Sequence, residues 1–196
     1  MVSGDAPDPS AIAEAARVLR GGGLVAFPTE TVYGLGADAA NPAAIERLNQ
    51  VKGRPPDKPY SLHLHSPDQM RPFVTAVPPM ATRLIERFWP GPLTLVLPGK
   101  DGKTVGFRLP DHPIAQAFLR SCGVPVVAPS ANRSGSPPPT DAAEVLEALD
   151  GSIECVLDGG PTRLGRESTV VEVLGARVEI RRDGAIPADA IRSAVG

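Results

Sequence analysis

A short loop in the first third of the chain concentrates positive charge. Residues 52–58 carry Lys52, Arg54 and Lys58, and the prolines among them restrict the backbone. Cations held close together repel one another, so binding of an anion that neutralises this repulsion is favoured. At an effective dielectric constant of about 20, each contact to a phosphate at ~4 Å is worth roughly 4 kcal/mol before desolvation. The loop therefore fits a polyphosphate ligand, although a solvated basic loop beside Asp57 explains the same spacing equally well.

Small polar side chains follow an apolar segment later in the chain. Ser130 and Asn132 come directly after the predicted strand 125–128. Ligand contacts in α/β proteins are often placed at the end of a buried strand, and neutral donors suit phosphate or ribose. A turn that satisfies its own backbone groups is the alternative interpretation.

A third candidate is an arginine on a predicted strand. Thr104 and Arg108 are four residues apart in an extended segment, so they share one face about 13 Å apart, whereas Val105 and Phe107 take the opposite, buried face. Arg108 would suit a carboxylate ligand that accepts two hydrogen bonds. An exposed arginine on a half-buried strand is an equally common explanation.

Several well-known signatures are not matched. Gly102 to Thr104 resembles the end of a P-loop, but Leu97 occupies a position that needs glycine. The glycines of residues 34–36 lie too far from the preceding strand for a dinucleotide-binding turn. His63 and His65 lack further metal ligands, and no G-x-S-x-G segment is present. The sequence therefore predicts no protein nucleophile, no metal held by protein alone and no organic cofactor.

Length and composition limit the class of protein. The 196 residues, 42% of them apolar, predict a single domain over 1–196 with one core. A net charge of −2 argues against a broad nucleic-acid surface, and two cysteines form neither a disulfide framework nor a zinc site. The N-terminal residues lack a signal-peptide pattern, and no apolar run is long enough to span a membrane. We expect a cytoplasmic protein.

Periodicity and capping residues place these segments on helices and strands. Asp8-Pro9 begins the first helix, Thr140 is predicted to cap a later one, and Pro28 to Gly36 is predicted to be a loop. Helices are predicted after Pro9 and Pro42 and near 67–75, 79–88, 112–121, 141–149 and 187–195. Strands are predicted near 24–27, 60–65, 93–97, 105–109, 125–128, 154–157, 168–174 and 177–182. The late strands follow each other directly, which favours a mixed α/β sheet with helices packed on it.

Taken in order, these segments resemble the YrdC-like family, the threonylcarbamoyl-AMP synthases. The likeness extends from about Leu24 to Gly184. It comprises residues 28–36, 52–54 with Lys58 and 61–63, 89–94, 108–110, 129–132, 167–171 and 180–184. The resemblance implies an α/β fold with a twisted, mostly parallel sheet, surrounding helices and a large cationic cavity. Some relatives carry a second domain, and this chain is similar to the short, single-domain form.

The resemblance also implies two sets of ligand contacts in that cavity. Those implied to contact ATP are Lys52, Arg54, Lys58, Thr104, Ser130, Asn132, Pro138 and Arg182. Those implied to contact threonine are Thr31, His63, Arg108, Ala128 and Ser168. An ordinary histidine pKa would suit a base, but the resemblance gives His63 only a contact with threonine, so no general base is predicted.

The implied activity is that of a nucleotidyltransferase. It forms L-threonylcarbamoyladenylate and pyrophosphate from L-threonine, bicarbonate or CO2, and ATP, for the threonylcarbamoyladenosine modification of tRNA. Mg²⁺ is expected to enter with ATP, held by phosphate oxygens and water, and a tRNA threonylcarbamoyl transferase complex is expected to receive the product. Two alternatives stay open, which are a paralogue of the same fold without synthase activity and a module that binds tRNA or double-stranded RNA. The net charge of −2 weakens the second alternative.

Overall fold

The computed structural model describes residues 8–53 and 59–196, so the predictions for Arg54 and Lys58 lie outside the described residues. The α-helices in this part of the chain are α1 (Pro9–Arg20), α2 (Pro42–Lys52), α3 (Pro79–Phe88), α4 (Pro113–Cys122), α5 (Ala142–Leu149) and α6 (Ala188–Val195). The strands are β1 (Val25–Phe27), β2 (Gly34–Asp38), β3 (Ser61–His63), β4 (Leu93–Pro98), β5 (Thr104–Arg108), β6 (Val126–Val127), β7 (Cys155–Val156), β8 (Thr169–Leu174) and β9 (Arg177–Arg182). None of these helices has the length and apolar character needed to cross a membrane.

Side-chain caps set the start of most predicted helices. Asp8 accepts a hydrogen bond from the Ser10 amide at 2.8 Å, directly before the proline that begins α1. The predicted cap of α5 was wrong by one residue. Asp141 accepts from the backbone of Glu144 at 2.8 Å, whereas the Thr140 hydroxyl donates to the Glu144 carboxylate. The carboxylate is the stronger acceptor for an amide at a helix N-terminus.

The predicted helix at 67–75 is much shorter in the structure. Only a 3₁₀ helix forms there, over Pro67–Met70, with Ser66 as its cap. Pro72 has no N–H to donate to a preceding turn, so it cannot extend the helix as a regular helical residue would.

The described strands form one mixed sheet in the order β7-β1-β2-β6-β3-β5-β4-β8-β9. This confirms the predicted mixed sheet with helices packed on it. Three strand pairs of the described residues are parallel and five are antiparallel, so fewer are parallel than the resemblance implied. The reason is local: β4 and β5, like β8 and β9, are joined by short turns, which permit only antiparallel pairing.

The glycines at 34 and 36 lie in a strand, which corrects the prediction that Pro28 to Gly36 is all loop. A Cβ at Gly36 would lie 3.2 Å from the Phe27 ring and 3.3 Å from the Leu19 side chain. A Cβ at Gly34 would lie 3.4 Å from the same ring. Glycine therefore makes room here for the buried Phe27, and it does not mark a turn.

The two faces of the sheet are covered differently. One face packs along its length against α2, α3, α5 and α6 through apolar residues such as Leu35, Leu95 and Phe107. The other face is covered by α1 and α4 only near β1, β2 and β6, where Phe27 packs on Phe118. Beyond β6, towards β3, β5, β4 and β8, this second face opens onto a cavity.

Candidate functional site

A cavity of about 310 Å³ opens on the sheet face that α1 and α4 leave uncovered. Its floor consists of alternate residues of neighbouring strands. These are Ser61 and His63 of β3, Thr104, Gly106 and Arg108 of β5, Thr94 and Val96 of β4, and Val170 of β8. Side chains alternate between the faces of a strand, so the residues between them face the apolar core. This confirms the prediction that Thr104 and Arg108 share one face and that Phe107 takes the other.

Arg108 lines the cavity and is buried, with 6% of its surface exposed. Its Nη2 donates to Thr31 Oγ1 at 2.5 Å and to Glu30 Oε1 at 3.0 Å, with Thr29 Oγ1 at 3.4 Å. The explanation of Arg108 as an exposed arginine is therefore wrong. Glu30 forms a buried ion pair with Arg108.

His63 lies opposite Arg108 in the register of β3 and β5. Burial, with a smaller contribution from the Arg108 charge, lowers the pKa of His63 to about 3. The imidazole is therefore uncharged at neutral pH and is a weak base in the ligand-free protein. The structure thus removes the argument that His63 has a pKa suited to general-base catalysis.

A second arginine also lines the cavity. Arg182 Nη2 donates to the Ser168 carbonyl at 2.9 Å and its Nη1 pairs with Glu167 Oε1 at 2.9 Å. The Ser168 hydroxyl in turn shares a 2.8 Å hydrogen bond with Thr94. Arg182 and Ser168 are therefore fixed relative to each other across β8 and β9.

Lys52, Ser130 and Asn132 meet beside the cavity. Lys52 ends α2 and is buried, and its Nζ donates to the carbonyl oxygens of Ser130 at 2.5 Å and Asn132 at 2.6 Å. The Asn132 amide donates to the carbonyls of Arg133 and Ser136, as the turn interpretation predicted. Its Oδ1 is buried without a hydrogen-bond partner among residues 8–53 and 59–196. Ser130 itself lines the cavity.

The structure brings together most, but not all, of the predicted contacts. Those that line the cavity are His63, Thr104, Arg108, Ala128, Ser130, Ser168 and Arg182. Thr31 lies behind Arg108, and Lys52 and Asn132 lie behind Ser130. Pro138 does not contribute to the cavity wall formed by the described residues. Arg54 and Lys58 lie outside them.

The sequence analysis did not predict that Glu30 and Glu167 pair with the two cavity arginines. Glu30 follows β1 as directly as Ser130 follows β6, so the rule that flagged Ser130 also applies to Glu30. Glu167 carries no comparable signal, because its role depends on the position of Arg182 in the next strand.

Each cavity arginine of the described residues is thus paired with a carboxylate, and the cationic character of the cavity stays a prediction. Within the same residues, no three His, Cys, Asp or Glu side chains lie close enough to hold a metal ion.

Comparison with known proteins identifies the family of the chain. The family model for Sua5, YciO and YrdC proteins, described as "Telomere recombination", matches residues 17–184. A threonylcarbamoyl-AMP synthase of Bacillus subtilis (strain 168) is 45% identical over 195 residues, which cover 94% of this chain and 56% of that protein. A relative from Pyrococcus abyssi with the same name is 44% identical over 93% of this chain, which again spans 56% of the relative.

Two solved structures show the same fold. The crystal structure of P. abyssi Sua5 complexed with L-threonine has a TM-score of 0.93 and 41% identity, and covers 100% of this chain and 61% of that chain. The crystal structure of E. coli YciO has a TM-score of 0.86 and 27% identity, and covers 97% of both chains. Since the family model matches most of the chain and the curated relatives exceed 40% identity over nearly all of it, the chain belongs to the Sua5/YciO/YrdC family.

Proposed function

We propose that this chain forms L-threonylcarbamoyladenylate and pyrophosphate from L-threonine, bicarbonate or CO2, and ATP. The observation that carries the proposal is that Arg108, Ser168, Ser130 and Arg182, which are far apart in sequence, line one cavity. Relatives named threonylcarbamoyl-AMP synthase and a related structure holding L-threonine support it. We further propose that residues 1–196 act as one catalytic domain.

The cavity residues around Arg108 are suited to the amino acid. A buried guanidinium can bind the substrate carboxylate strongly because little water competes with it. Nη2 is already occupied and Nε is buried, so a carboxylate would meet Nη1 first. Uncharged His63 and the Ser168 hydroxyl offer polar partners for the amine and hydroxyl of threonine, and Ala128 offers an apolar wall. Thr31 would act by holding Arg108.

Other cavity residues are suited to the nucleotide. Arg182, Ser130 and Thr104 would contact ATP from the cavity wall, with Lys52 and Asn132 close behind. By resemblance, Arg54, Lys58 and Pro138 complete this set. ATP would arrive with Mg²⁺, whose remaining ligands are phosphate oxygens and water.

The reaction needs alignment more than a reactive side chain. The threonine amine, with an ordinary pKa of about 8, must first lose a proton. It then attacks the carbon of bicarbonate or CO2, and loss of water in the bicarbonate case, or of a proton from nitrogen to solvent in the CO2 case, gives the carbamate. A carbamate oxygen attacks the α-phosphorus of ATP, and the bond to the bridging oxygen breaks to release pyrophosphate. Such transfers depend on positioning and charge neutralisation, and we assign no general base.

Two other functions are distinguishable from this one. A family member without synthase activity would bind ligands in the same cavity without forming the adenylate. A tRNA- or RNA-binding module would bind tRNA with steep salt dependence and release no pyrophosphate. In the proposed pathway, a tRNA threonylcarbamoyl transferase complex in the cytoplasm receives the adenylate.

The test is a reconstituted reaction of the purified chain with ATP, L-threonine and labelled bicarbonate. We expect pyrophosphate release that requires threonine, together with detection of the adenylate by mass spectrometry. Serine should react several-fold less well, because it lacks a methyl group worth about 1 kcal/mol. Arg108→Ala should mainly raise the threonine concentration required. Binding of threonine and ATP without any adenylate would refute the proposed activity.

A further inference from the structure

Glu30 is a buried carboxylate that the proposed reaction does not use. It is 1% exposed, although it lies in a loop between two strands. Its Oε1 accepts from Arg108 Nη2 at 3.0 Å and its Oε2 accepts from the Asp111 backbone amide at 3.1 Å. Both carboxylate oxygens are thus used within the protein, and no part of Glu30 lines the cavity.

The backbone around Glu30 is fixed as well. Its carbonyl accepts from the Leu164 amide at 2.9 Å. On one side, the Thr29 hydroxyl closes a turn by donating to the Val32 carbonyl at 2.7 Å. The carboxylate is therefore held in place by groups other than Arg108, and it can orient the arginine.

The hydrogen bonds of Arg108 show what this orientation achieves. Nη2 has two hydrogens, and its short contacts are to Glu30 and Thr31, so it has no donor left for a ligand. Nε is buried without a partner in the described part of the chain. Arg108 nevertheless lines the cavity, which leaves Nη1 as the nitrogen that can contact a ligand there.

We infer that Glu30 is a positioning residue, which holds Arg108 so that Nη1 faces the carboxylate of the amino-acid substrate. The inference rests on the proposed threonine site and adds a residue that acts through Arg108 without touching substrate. Without Glu30, only neutral hydroxyl groups would hold Arg108 Nη2, so the side chain would have more rotamers available and its buried charge would lose its carboxylate partner.

The test compares L-threonine with L-threoninol, in which a hydroxymethyl group replaces the carboxylate. Binding of each is measured by calorimetry for the wild-type protein and for Glu30→Ala. Wild type should prefer threonine by about tenfold to a hundredfold, the range expected for hydrogen bonds to a charged group. Glu30→Ala should lose most of this preference and raise the KM for threonine far more than the KM for ATP. A purely structural role would weaken both ligands equally and leave the preference unchanged.

Glu154 provides a control with the same kind of pairing at a more exposed position. Its carboxylate also pairs with one arginine, Arg47, and accepts from one backbone amide, that of Leu24 at 2.8 Å, but it does not line the cavity. Glu154→Ala should leave the preference for threonine over threoninol as in wild type. Glu30→Gln is the second variant in case Glu30→Ala folds poorly. Its amide oxygen can serve either Arg108 or the Asp111 amide but not both, so an intermediate preference is expected.

The outcomes separate this inference from the proposed function. Wild-type protein that does not prefer threonine over threoninol would refute the carboxylate site itself, and the role of Glu30 with it. A wild-type preference that persists in both Glu30 variants would refute the positioning role alone. Tighter threonine binding in either variant would also overturn it, because Glu30 would then be weakening Arg108.

Discussion

Mild acid should destabilise the folded protein through the buried imidazole of His63. The side chain is 6% exposed, and burial, reinforced by the Arg108 charge, lowers its pKa to about 3. In the unfolded chain the pKa returns to about 6.5. Above that pH the imidazole is neutral in both states. Below it, the unfolded chain binds a proton that the folded protein does not, so stability falls as the pH decreases from about 6.5 towards 3.

The magnitude follows from the size of this shift. One pKa unit corresponds to about 1.4 kcal/mol, so at pH 5, about 1.5 units below the unfolded value, the loss is about 2 kcal/mol. Near pH 3 the loss approaches about 4 kcal/mol. Domains of ordinary stability unfold at a cost of about 5–15 kcal/mol, so the loss at pH 5 is a measurable fraction.

The assay is urea unfolding at pH 7 and pH 5 for the wild type and for His63→Gln. Carboxylates contribute to both proteins alike, so the comparison isolates the imidazole. Between the two pH values, wild type should lose about 2 kcal/mol more of its free energy of unfolding than His63→Gln does. His65→Gln is the matched control, because it also removes an imidazole but leaves the buried one in place. Equal losses in wild type and His63→Gln would refute the reasoning.

Three further variants test the packing and charges around the cavity. Glu167→Gln should lower the KM for ATP by up to about fivefold, since it frees Arg182 from an exposed ion pair worth less than about 1 kcal/mol; an unchanged KM would contradict this. Gly184→Ala should lower thermal stability and threonine affinity together, because its Cβ would lie 2.3 Å from the Ser168 backbone. Tyr33→Phe should cost about 1–3 kcal/mol in urea unfolding, because its hydroxyl bonds to the backbone of two half-buried loop glycines; a neutral effect would show that water replaces it.

The strands of the cavity floor were predictable because alternate residues of the sequence face opposite sides of the folded strands. Thr104 and Arg108 face the cavity while Phe107 faces the core, as the spacing of two indicates. The strand β2 was not predictable in this way. Its glycines carry no side chains to show alternation, and the reason for them is the Phe27 ring, which reaches them from the neighbouring strand β1.

The electrostatics of the site could not be predicted from spacing. The Arg108–Glu30 pair joins residues 78 positions apart, and only the folded sheet brings them together. The same holds for His63, whose ordinary pKa suggests a base until burial beside Arg108 is known. The sequence indicated which residue types gather at the site, but the protonation and pairing of each depend on what the fold places next to it.

The two ion pairs at the cavity differ in burial, and this difference gives them different roles. The side chains of Arg108 and Glu30 are 7% and 1% exposed, whereas those of Arg182 and Glu167 are 43% and 38% exposed. Breaking a buried ion pair would leave a charge that water cannot solvate, so Glu30 stays paired with Arg108. A ligand must therefore bind the part of the guanidinium that Glu30 and Thr31 leave unoccupied. An exposed pair exchanges its partner easily, because water solvates the released carboxylate. In the proposed reaction, Arg108 would therefore be held in place before the amino acid arrives, whereas Arg182 could exchange Glu167 for a phosphate of the incoming nucleotide.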